Sequence, residues 1–512
     1  MLTARACCLA AALAAAMGLS AEMEELALDF RRPVIVPEPQ KMEYKSDVAV
    51  RITPETRFRI ACSDRAAVEW VREKAKLWWN IDITPIPHPS SLIPLPSSPE
   101  GYRLSAKPDG VEIAAASLQG VRYAMYSLRQ AAERESSGIT TANYWLPALE
   151  IEDSPALAHR FCHFCWFPEL SSQFIERQIR LAAYYKFNYV ILEAWGVWKG
   201  DKYPIMSVPD GKMTVAEAHR LAALAKDLGV TLVPALNIFG HATGLRALSG
   251  KHSTLDTRPE LQPLFEPANG WNWCLSNPDA VRFIRGMVEE MHEAYGNPPF
   301  FHIGCDEADP PTCPRCRAVK PYARLVEAHI AGMSDLLRKR GARTMMWHDQ
   351  LLEKGKWKPF YATGDKDLSK MADSLPRDIV ICDWYYGGDQ RGKDGKGEYP
   401  TLEHFKSKGF DVVTCQFDKA AGIVAQGEYA RDRGLFGFME TVWHHLRGRE
   451  FGMMMQTSAC AAWGHGQTDK GEGVRDRPVM THWRQLGWDM GVTDYPETGL
   501  LRETITRDAL DK

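Results

Sequence analysis

The pattern of hydrophobic and polar positions changes after residue 153 of this chain. Up to that point, short alternating runs such as Val48–Ile52 and Tyr102–Ala106 are interleaved with two stretches of helical periodicity, Arg65–Trp79 and Ser117–Arg134. Short strands mixed with helices of this length predict a small α+β domain, which we place at residues 30–153.

From Arg160 onward, apolar runs alternate regularly with amphipathic helical stretches. The runs are typical of buried strands: Arg160–Phe167, Tyr189–Trp195, Thr231–Phe239, Phe300–Glu307, Thr344–Leu351, Ile379–Tyr386, Asp411–Asp418 and Leu435–His444. A helical stretch is predicted after each, for example Thr214–Leu228, Asp279–Tyr295 and Tyr322–Arg340. Eight such units predict an α/β fold, a (β/α)8 TIM barrel over residues 158–490, followed by a tail at 491–512. A doubly wound open sheet is the alternative, but no glycine-rich phosphate loop follows any of the strands.

A barrel of this kind places active-site residues at the carboxyl ends of its strands. Polar residues do cluster at or just beyond the predicted strand ends: Glu193, Asn237, His241, Asp306, Glu307, Asp349, Tyr386, Asp418 and His444. The sequence therefore predicts one functional site at the mouth of the barrel.

The first 21 residues resemble a secretory signal peptide. Arg5 supplies a positive charge, a short apolar stretch from Cys7 to Met17 follows, and Ala21 is a small residue at the expected cleavage position. We therefore expect an exported protein that is not inserted in a membrane after cleavage. The formal net charge of −3 favours neither a nucleic-acid partner nor a polyanion-binding surface.

Cysteine placement leaves two possibilities for one loop. Cys162 and Cys165 lie three apart in a predicted strand and so point to opposite faces, which disfavours a chelating pair. Cys313 and Cys316 lie in a predicted loop and suit a structural role, a disulfide or half of a zinc site. Because no second pair of ligands is visible nearby, we expect no metal, and we expect no cofactor.

The segment Phe300–Glu307 carries the most specific chemistry in the chain. Strand alternation points His302, Gly304 and Asp306 to one face, and Glu307 follows at the turn out of the strand. Two adjacent carboxylates are often only a solvated pair or a helix cap. At the end of an apolar barrel strand, however, they fit the pairing of an acid with a persistently charged carboxylate that sugar hydrolysis requires.

The motif His302-Ile-Gly-Cys-Asp-Glu307 resembles the His-x-Gly-Gly/Cys-Asp-Glu motif of glycoside hydrolase family 20, the β-N-acetylhexosaminidases. The resemblance extends along the chain through Val34–Gln40, Gly120–Gln130, Phe239-Gly-His241 and Cys274–Pro278.

The pattern is most similar to the hexosaminidase D-type branch of that family. Further segments carry this similarity: Ile191–Trp195, Pro234–His241, Trp347-His-Asp349, Phe417–Ala420 and the Cys313–Cys316 pair.

The resemblance implies a retaining mechanism in which the substrate's own 2-acetamido group is the nucleophile. Glu307 would protonate the leaving oxygen and then activate water, while Asp306 would orient the acetamido group and stabilise the oxazolinium. Tyr386, with Tyr385 as the competitor, would hold the acetamido oxygen.

Other residues would bind the sugar. Trp347, Trp384 and Trp443 would wall the pocket, although each also suits the barrel core. His241 and Glu193 would bind sugar hydroxyls or support the acid pair. Arg160 would bind sugar hydroxyls or have a structural role at the start of its strand. The set of predicted substrate-binding residues is completed by His302, Asp349 and Asp418.

Three departures from the main family affect sugar recognition. Asn237 replaces an acidic residue, Trp443-His-His445 replaces Trp-x-Glu, and Gln416-Phe-Asp418 replaces Tyr-x-Asp. The preference for GlcNAc or GalNAc, and the tolerance of substituents such as sulfate, are therefore left open.

The resulting prediction is an exo-acting β-N-acetylhexosaminidase whose partner is a glycan ending in an N-acetylhexosamine. Two rivals are an inverting barrel hydrolase, in which Asp306 or Glu307 works with a distant carboxylate, and a glycan-binding protein without turnover. A metalloenzyme using His302 and Asp306 is a weaker alternative, because a second histidine is not visible nearby.

Overall fold

The structure is a computed structural model of the chain. It describes residues 30–87, 95–134, 144–203, 211–243, 254–267, 269–388, 390, 398–443, 448–464 and a few positions between 482 and 490. The predicted signal peptide, the tail at 491–512 and the segment 444–447 with its two histidines lie outside the described residues. The chain folds into two compact units, and the boundary along the chain falls between Ser154 and Pro155.

The first unit is built on one mixed sheet with two helices. Its strands are β1 (Lys41–Ile52), β2 (Phe58–Ala61), β3 (Ile86–Pro87), β4 (Tyr102–Lys107), β5 (Gly110–Ala115), β6 (Glu133–Arg134) and β7 (Tyr144–Asp153). They are ordered β1-β7-β4-β5-β2-β3, with β6 paired to β7. The helices are α1 (Ala66–Trp79) and α2 (Leu118–Ala131). Both observed helices agree with the two predicted from periodicity, although α2 ends earlier because β6 begins two residues later.

Aromatic side chains fill the core of the first unit. Trp70 packs edge-on against Tyr126 with ring centroids 6.1 Å apart, and Trp78 lies 5.7 Å from the same tyrosine. The abundance of tryptophan in the chain is therefore partly explained by burial, which removes large apolar areas from water.

The second unit contains a closed barrel of eight parallel strands, as predicted. They are β8 (His159–Trp166), β9 (Tyr189–Ala194), β12 (Thr231–Ala235), β13 (Phe300–His302), β14 (Arg343–Trp347), β15 (Val380–Trp384), β16 (Asp411–Gln416) and β17 (Gly437–Glu440). Two short strands, β10 (Trp198–Lys199) and β11 (Met213–Thr214), form a separate ribbon.

Helices connect the barrel strands. They are α3 (Ser172–Tyr184), α4 (Val215–Asp227), α5 (Thr254–Thr257), α6 (Pro278–Ala294), α7 (Pro314–Ala318), α8 (Ala323–Lys339), α9 (Pro400–Ser407), α10 (Ala420–Asp432) and α11 (Gly448–Trp463). The prediction of a helical stretch after each strand holds only in a weaker form after β14. That connection contains two 3-10 helices, Asp349–Leu351 and Leu368–Asp373. The residues between them include Gly355, Pro359 and Gly364, which disfavour a continuous α-helix.

The observed strands are shorter than predicted at their carboxyl ends. The run Phe300–Glu307, for example, is a strand only to His302, and the backbone beyond it turns with positive φ at Gly304, Cys305 and Glu307. Hydrophobicity continues past the hydrogen-bonded strand because these turns are themselves buried. The predicted polar cluster therefore lies in loops at the barrel mouth.

The barrel interior is filled by apolar side chains from all eight strands. This core includes fully buried side chains, namely Phe161, Ile191, Val233, Met345 and Val413. Within the described part of the chain, no helix is both long and apolar enough to cross a membrane.

Truncating this core is expected to destabilise the barrel in proportion to the volume removed. Ile191→Ala should lower the free energy of unfolding by about 2–5 kcal/mol and Ile191→Val by about 0.5–1.5 kcal/mol. Urea denaturation followed by circular dichroism measures both. Leu77→Ala, at a side chain that is 43% exposed on α1, is the control, and equal losses in all three variants would contradict the core assignment.

Candidate active site

The candidate site is built around the turn that leaves β13. Gly304 (φ +67°), Cys305 (φ +77°) and Glu307 (φ +46°) adopt left-handed conformations, which cost energy for residues with a side chain. The turn orients the two adjacent carboxylates differently. The Asp306 side chain is only 8% exposed, whereas that of Glu307 is 50% exposed.

Two glycines allow this turn to pack closely. A Cβ at Gly304 would lie 1.6 Å from Asn237 Oδ1, and a Cβ at Gly240 would lie 2.4 Å from the Asp306 carbonyl oxygen. Any larger residue at either position would therefore push the turn away from the neighbouring loop that follows β12.

His241 contacts both carboxylates with one ring nitrogen. Its Nε2 lies 3.2 Å from Asp306 Oδ2 and 3.2 Å from Glu307 Oε2. His241 itself has a left-handed backbone (φ +52°), and its ring is buried. The histidine therefore holds the acid pair together, the supporting role that was one of its two functional possibilities in the sequence.

Asp349, in the 3-10 helix that follows β14, anchors the backbone of the turn. Its Oδ2 accepts a hydrogen bond from the Glu307 N–H at 2.9 Å and another from the Thr363 hydroxyl. Its Oδ1 accepts from Trp384 Nε1 at 3.3 Å. Because its oxygens are engaged by protein donors, Asp349 acts here as a positioning residue for Glu307.

Burial raises the pKa of Asp349. Desolvation, and then the charge of Asp306, raise the pKa of Asp349 to about 6. Two carboxylates that share a buried site cannot both ionise easily, since each charge opposes the other.

Glu193 forms a second buried network beside the turn. Its Oε2 accepts a hydrogen bond from His163 Nε2 at 3.0 Å, and its Oε1 accepts one from Asn237 Nδ2 at 2.9 Å. Asn237, which replaces an acidic residue of the main family, thus connects Glu193 to the loop that packs on Gly304.

Aromatic rings form the base of the site. Trp347 lies 4.3 Å from His302 and 5.3 Å from Trp443, measured between ring centroids, and Trp443 lies 4.8 Å from His163. Trp347 is 1% exposed, whereas Trp443 is only partly buried. The burial of Trp347 favours its barrel-core role over the pocket wall, and Trp443 faces the mouth. His302, predicted to bind the sugar, is also buried, with 1% exposure.

Tyr386 points into the barrel mouth, and Tyr385 points away from it. The Tyr386 hydroxyl accepts a hydrogen bond from Trp443 Nε1 at 2.5 Å, and the ring packs on Trp384. Tyr385 instead packs against Phe360 on the outer side. Desolvation raises the pKa of Tyr386 well above its usual value, so its hydroxyl stays neutral and able to donate a hydrogen bond. This placement favours Tyr386 over Tyr385 as the site hydroxyl.

Two aromatic residues of the site were missed in the sequence. Trp271 Nε1 donates to the Glu307 carbonyl oxygen at 2.8 Å, and its ring lies 4.1 Å from that of His241. Tyr361 is 41% exposed and stacks on Trp384 with centroids 4.3 Å apart. Both lie in long loops outside the strand pattern. The available signal was Trp271 itself, in the aromatic Trp271-Asn-Trp273 cluster close to the third predicted helix.

Two predicted residues lie apart from this cluster. Arg160 is buried at the amino end of β8, where its guanidinium donates to the carbonyl oxygens of Lys186 and Leu157 and lies over Trp463. That placement favours its structural role over sugar binding, because the mouth is at the other end of the strand. Asp418 lies just after β16 as an exposed side chain 3.5 Å from Lys419 Nζ.

Three groups of side chains could hold a metal ion among the described residues. Two of them are His241–Asp306–Glu307 and His163–Cys165–Glu193. In both, the histidine contacts the carboxylates as described above. The third unites Cys313 and Cys316 with Cys274, a residue that the sequence did not connect with this pair.

Comparison with known families agrees with this fold. Residues 32–154 match the model of glycosyl hydrolase family 20, domain 2, and residues 175–418 match the model of the family 20 catalytic domain. The chain therefore belongs to glycosyl hydrolase family 20, and its barrel carries the family's catalytic domain.

The curated relatives are distant in sequence, and their names agree with the family match. A β-hexosaminidase of Akkermansia muciniphila is 23% identical over 287 residues, which are 49% of this chain and 55% of that protein. A β-hexosaminidase of Vibrio furnissii is 23% identical over 396 residues, which are 68% of this chain and 59% of that protein. The chain thus spans little more than half the length of the curated relatives it matches.

A solved structure shares the fold. The exo-β-N-acetylglucosaminidase of Vibrio harveyi, a family 20 protein determined in complex with N-acetylglucosamine, superposes with a TM-score of 0.64 at 17% identity. The superposition covers 91% of this chain and 79% of that one.

The raised pKa of Asp349 predicts a pH-dependent stability difference. Because the folded-state pKa of about 6 exceeds the ordinary 3.8, the neutral form favours the folded state. Its contribution is complete below about pH 4 and is lost as the pH rises through 6. Asp349→Asn removes this ionisation. Between pH 4 and 7, the free energy of unfolding of the variant should therefore rise relative to that of the wild type by up to about 3 kcal/mol.

Melting temperatures of both proteins across this pH range test the prediction. Groups remote from Asp349 titrate in both proteins and cancel in the difference, whereas Asp306, whose charge opposes that of Asp349, contributes to it. Asp109→Asn, at an exposed side chain of the first unit, is the control and should show a constant difference. A constant difference for Asp349→Asn as well would refute the raised pKa.

Proposed function

We propose that this protein is an exo-acting β-N-acetylhexosaminidase that releases terminal β-linked GlcNAc or GalNAc from glycans with retention of configuration. The observation that carries the proposal is the unequal exposure of two adjacent carboxylates joined by His241. Asp306 is buried beside the pocket base, and Glu307 projects into the mouth. Their positions match the different tasks of an acetamido-orienting carboxylate and a proton donor.

Glu307 is the group that can reach a glycosidic oxygen entering from solvent. It would protonate that oxygen as the bond to C1 breaks, and then remove a proton from the water that attacks C1. Its backbone is held from two sides, by Asp349 at its N–H and by Trp271 at its carbonyl. Such anchoring keeps the carboxyl group in reach during both steps.

Asp306 supports the use of the substrate's acetamido group as nucleophile. As the acetamido oxygen attacks C1, the amide nitrogen becomes positively charged in the oxazolinium, and a buried carboxylate beside it stabilises that charge. The neutral Tyr386 hydroxyl, whose oxygen accepts a hydrogen bond from Trp443, would donate to the acetamido oxygen before attack.

Two other buried carboxylates beside the turn, Glu193 and Asp349, are poor candidates for an enzymic nucleophile. Glu193 is engaged by His163 and Asn237, and Asp349 by the Glu307 N–H and Thr363. A carboxylate whose oxygens already accept hydrogen bonds has its lone pairs engaged and is a weaker nucleophile. These contacts favour substrate assistance.

The same distances disfavour an inverting mechanism that uses this pair. Inverting carboxyl groups stand roughly 6.5–9.5 Å apart across the sugar. The oxygens of Asp306 and Glu307 that face His241 lie within 4.8 Å of each other. No water and sugar ring fit between them.

We further propose that the protein is exported, on the basis of its N-terminal sequence, and that its partner is a glycan ending in N-acetylhexosamine. The similarity to the β-hexosaminidases of Akkermansia and Vibrio supports this substrate class. Tyr361 stacked on Trp384 offers an exposed aromatic surface on which an apolar sugar face can lie.

Substitution of the acid pair should separate its two roles. With 4-methylumbelliferyl β-GlcNAc and β-GalNAc, Glu307→Gln should lower kcat by about 10²–10⁴-fold, since leaving-group protonation is lost. With a 2,4-dinitrophenyl glycoside, whose leaving group needs no proton, the loss in the glycosylation step should be much smaller. Asp306→Asn should lower kcat by about 10²–10³-fold with both leaving groups.

The matched controls are Glu293→Gln and Asp335→Asn, at an exposed and a partly exposed helix residue, and they should leave kcat unchanged. Hydrolysis of neither aryl glycoside by the wild type would overturn the enzymatic proposal and leave a glycan-binding protein. Full activity in Glu307→Gln would overturn the acid assignment.

Substrate assistance predicts strong inhibition by a thiazoline that mimics the oxazoline. The thiazoline should bind at least about 100-fold more tightly than the aryl substrate, as a stable mimic of the intermediate. Aryl β-glucoside, which carries a hydroxyl in place of the acetamido group, is the matched control and should not be hydrolysed. Indifference to the thiazoline together with turnover of the glucoside would exclude the mechanism.

A further inference from the structure

Three buried cysteines converge where the loop after β12 meets the loop after β13. Cys274 Sγ lies 3.6 Å from Cys313 Sγ and 3.9 Å from Cys316 Sγ. All three side chains are at least 95% buried, with exposures of 1%, 5% and 0%. The sequence placed only Cys313 and Cys316 together, because Cys274 is distant along the chain.

These separations agree with ligands of one tetrahedral ion. Zinc–thiolate bonds of about 2.3 Å place neighbouring sulfurs of a tetrahedron about 3.8 Å apart. A disulfide requires about 2.05 Å between sulfurs, and each of these cysteines is a free thiol in the structure. The three sulfurs therefore surround a point rather than form a bonded pair.

The carboxylate of Glu266 lies beside the cluster, outside the set of three sulfurs that lie within 4.8 Å of one another. Glu266 is buried, and its Oε2 accepts a hydrogen bond from the Thr312 N–H at 2.6 Å. Its other oxygen, Oε1, is buried without a hydrogen-bond donor among the described residues, and the Cys316 thiol lies beside this carboxylate. An unpartnered buried carboxylate oxygen costs free energy unless a cation or donor compensates it.

We propose that Cys274, Cys313, Cys316 and Glu266 form a structural zinc site. Binding would release the three thiol protons to solvent and leave three thiolates and one carboxylate around Zn²⁺. Arg315, whose Nη2 lies 3.7 Å from Cys274 Sγ, supplies positive charge that offsets the excess of negative ligands. With four protein ligands the site has no open position, which is the mark of a structural zinc.

The site clamps two loops that hold the candidate acid. The first loop carries Trp271, which donates to the Glu307 carbonyl, and the second begins directly after Glu307. Asn272 and Asp309 already join the loops through a reciprocal pair of hydrogen bonds of 2.7 and 3.1 Å. A metal a few residues away would fix the same junction.

Metal content tests the site without reference to catalysis. The full chain, purified without chelators, should contain about one zinc per molecule by inductively coupled plasma mass spectrometry. Cys316→Ser should lose the zinc, whereas Cys62→Ser, at a partly exposed thiol of the first unit, should retain it.

Cobalt substitution tests the ligand set in case Cys316→Ser does not fold. Co²⁺ bound by the wild type should show intense thiolate-to-cobalt charge transfer and the visible bands of a tetrahedral ion. Glu266→Gln, which preserves shape, should fold, shift the visible bands and weaken zinc binding by at least about tenfold. An unchanged spectrum and affinity in Glu266→Gln would overturn the fourth ligand.

The proposal as a whole fails on either of two results. One is a disulfide between any two of the three cysteines in the native protein, detected by mass spectrometry of non-reduced peptides. The other is a reduced protein that contains no zinc and takes up neither Zn²⁺ nor Co²⁺. Because no readout is enzymatic, these results are independent of the proposed hexosaminidase activity.

Discussion

The close approach between the turn after β13 and the loop after β12 is the contact on which the candidate site depends. Gly304 lies so near Asn237 that no Cβ fits between them, and Gly240 leaves no room for a Cβ beside the Asp306 carbonyl. Because the backbones meet here, the chain must turn sharply. That turn buries one carboxylate and exposes the next, so a difference in environment arises between two residues that are adjacent in sequence.

Hydrogen bonds from neighbouring strands then hold this arrangement. Asp349 accepts the Glu307 N–H, Trp271 donates to the Glu307 carbonyl, and His241 bridges the two carboxylates. Each of these partners arrives from a different part of the same barrel mouth. Burial and the neighbouring charge of Asp306 raise the pKa of Asp349. The site thus combines rigid positioning with electrostatic strain, a combination common where charge develops during a reaction.

Much of the fold was predictable because it follows from local periodicity. The barrel strands and the helices α4, α6 and α8 begin close to the predicted positions, since alternation and amphipathic spacing are properties of neighbouring residues. The carboxyl ends of the strands were predicted too long, as hydrophobic burial continues into the turns. The connection after β14 differs from the predicted helical stretch because glycine and proline there favour 3-10 turns.

By itself, the sequence determined the fold class, the family resemblance and the carboxylate pair, since each rests on residues that lie close together along the chain. Only the tertiary structure decided which residues surround that pair. It turned Tyr386 toward the mouth, placed Arg160 at the opposite end of the barrel and brought Cys274 to Cys313 and Cys316. These are contacts between distant segments, and they depend on how loops meet above a closed barrel, which no local pattern specifies.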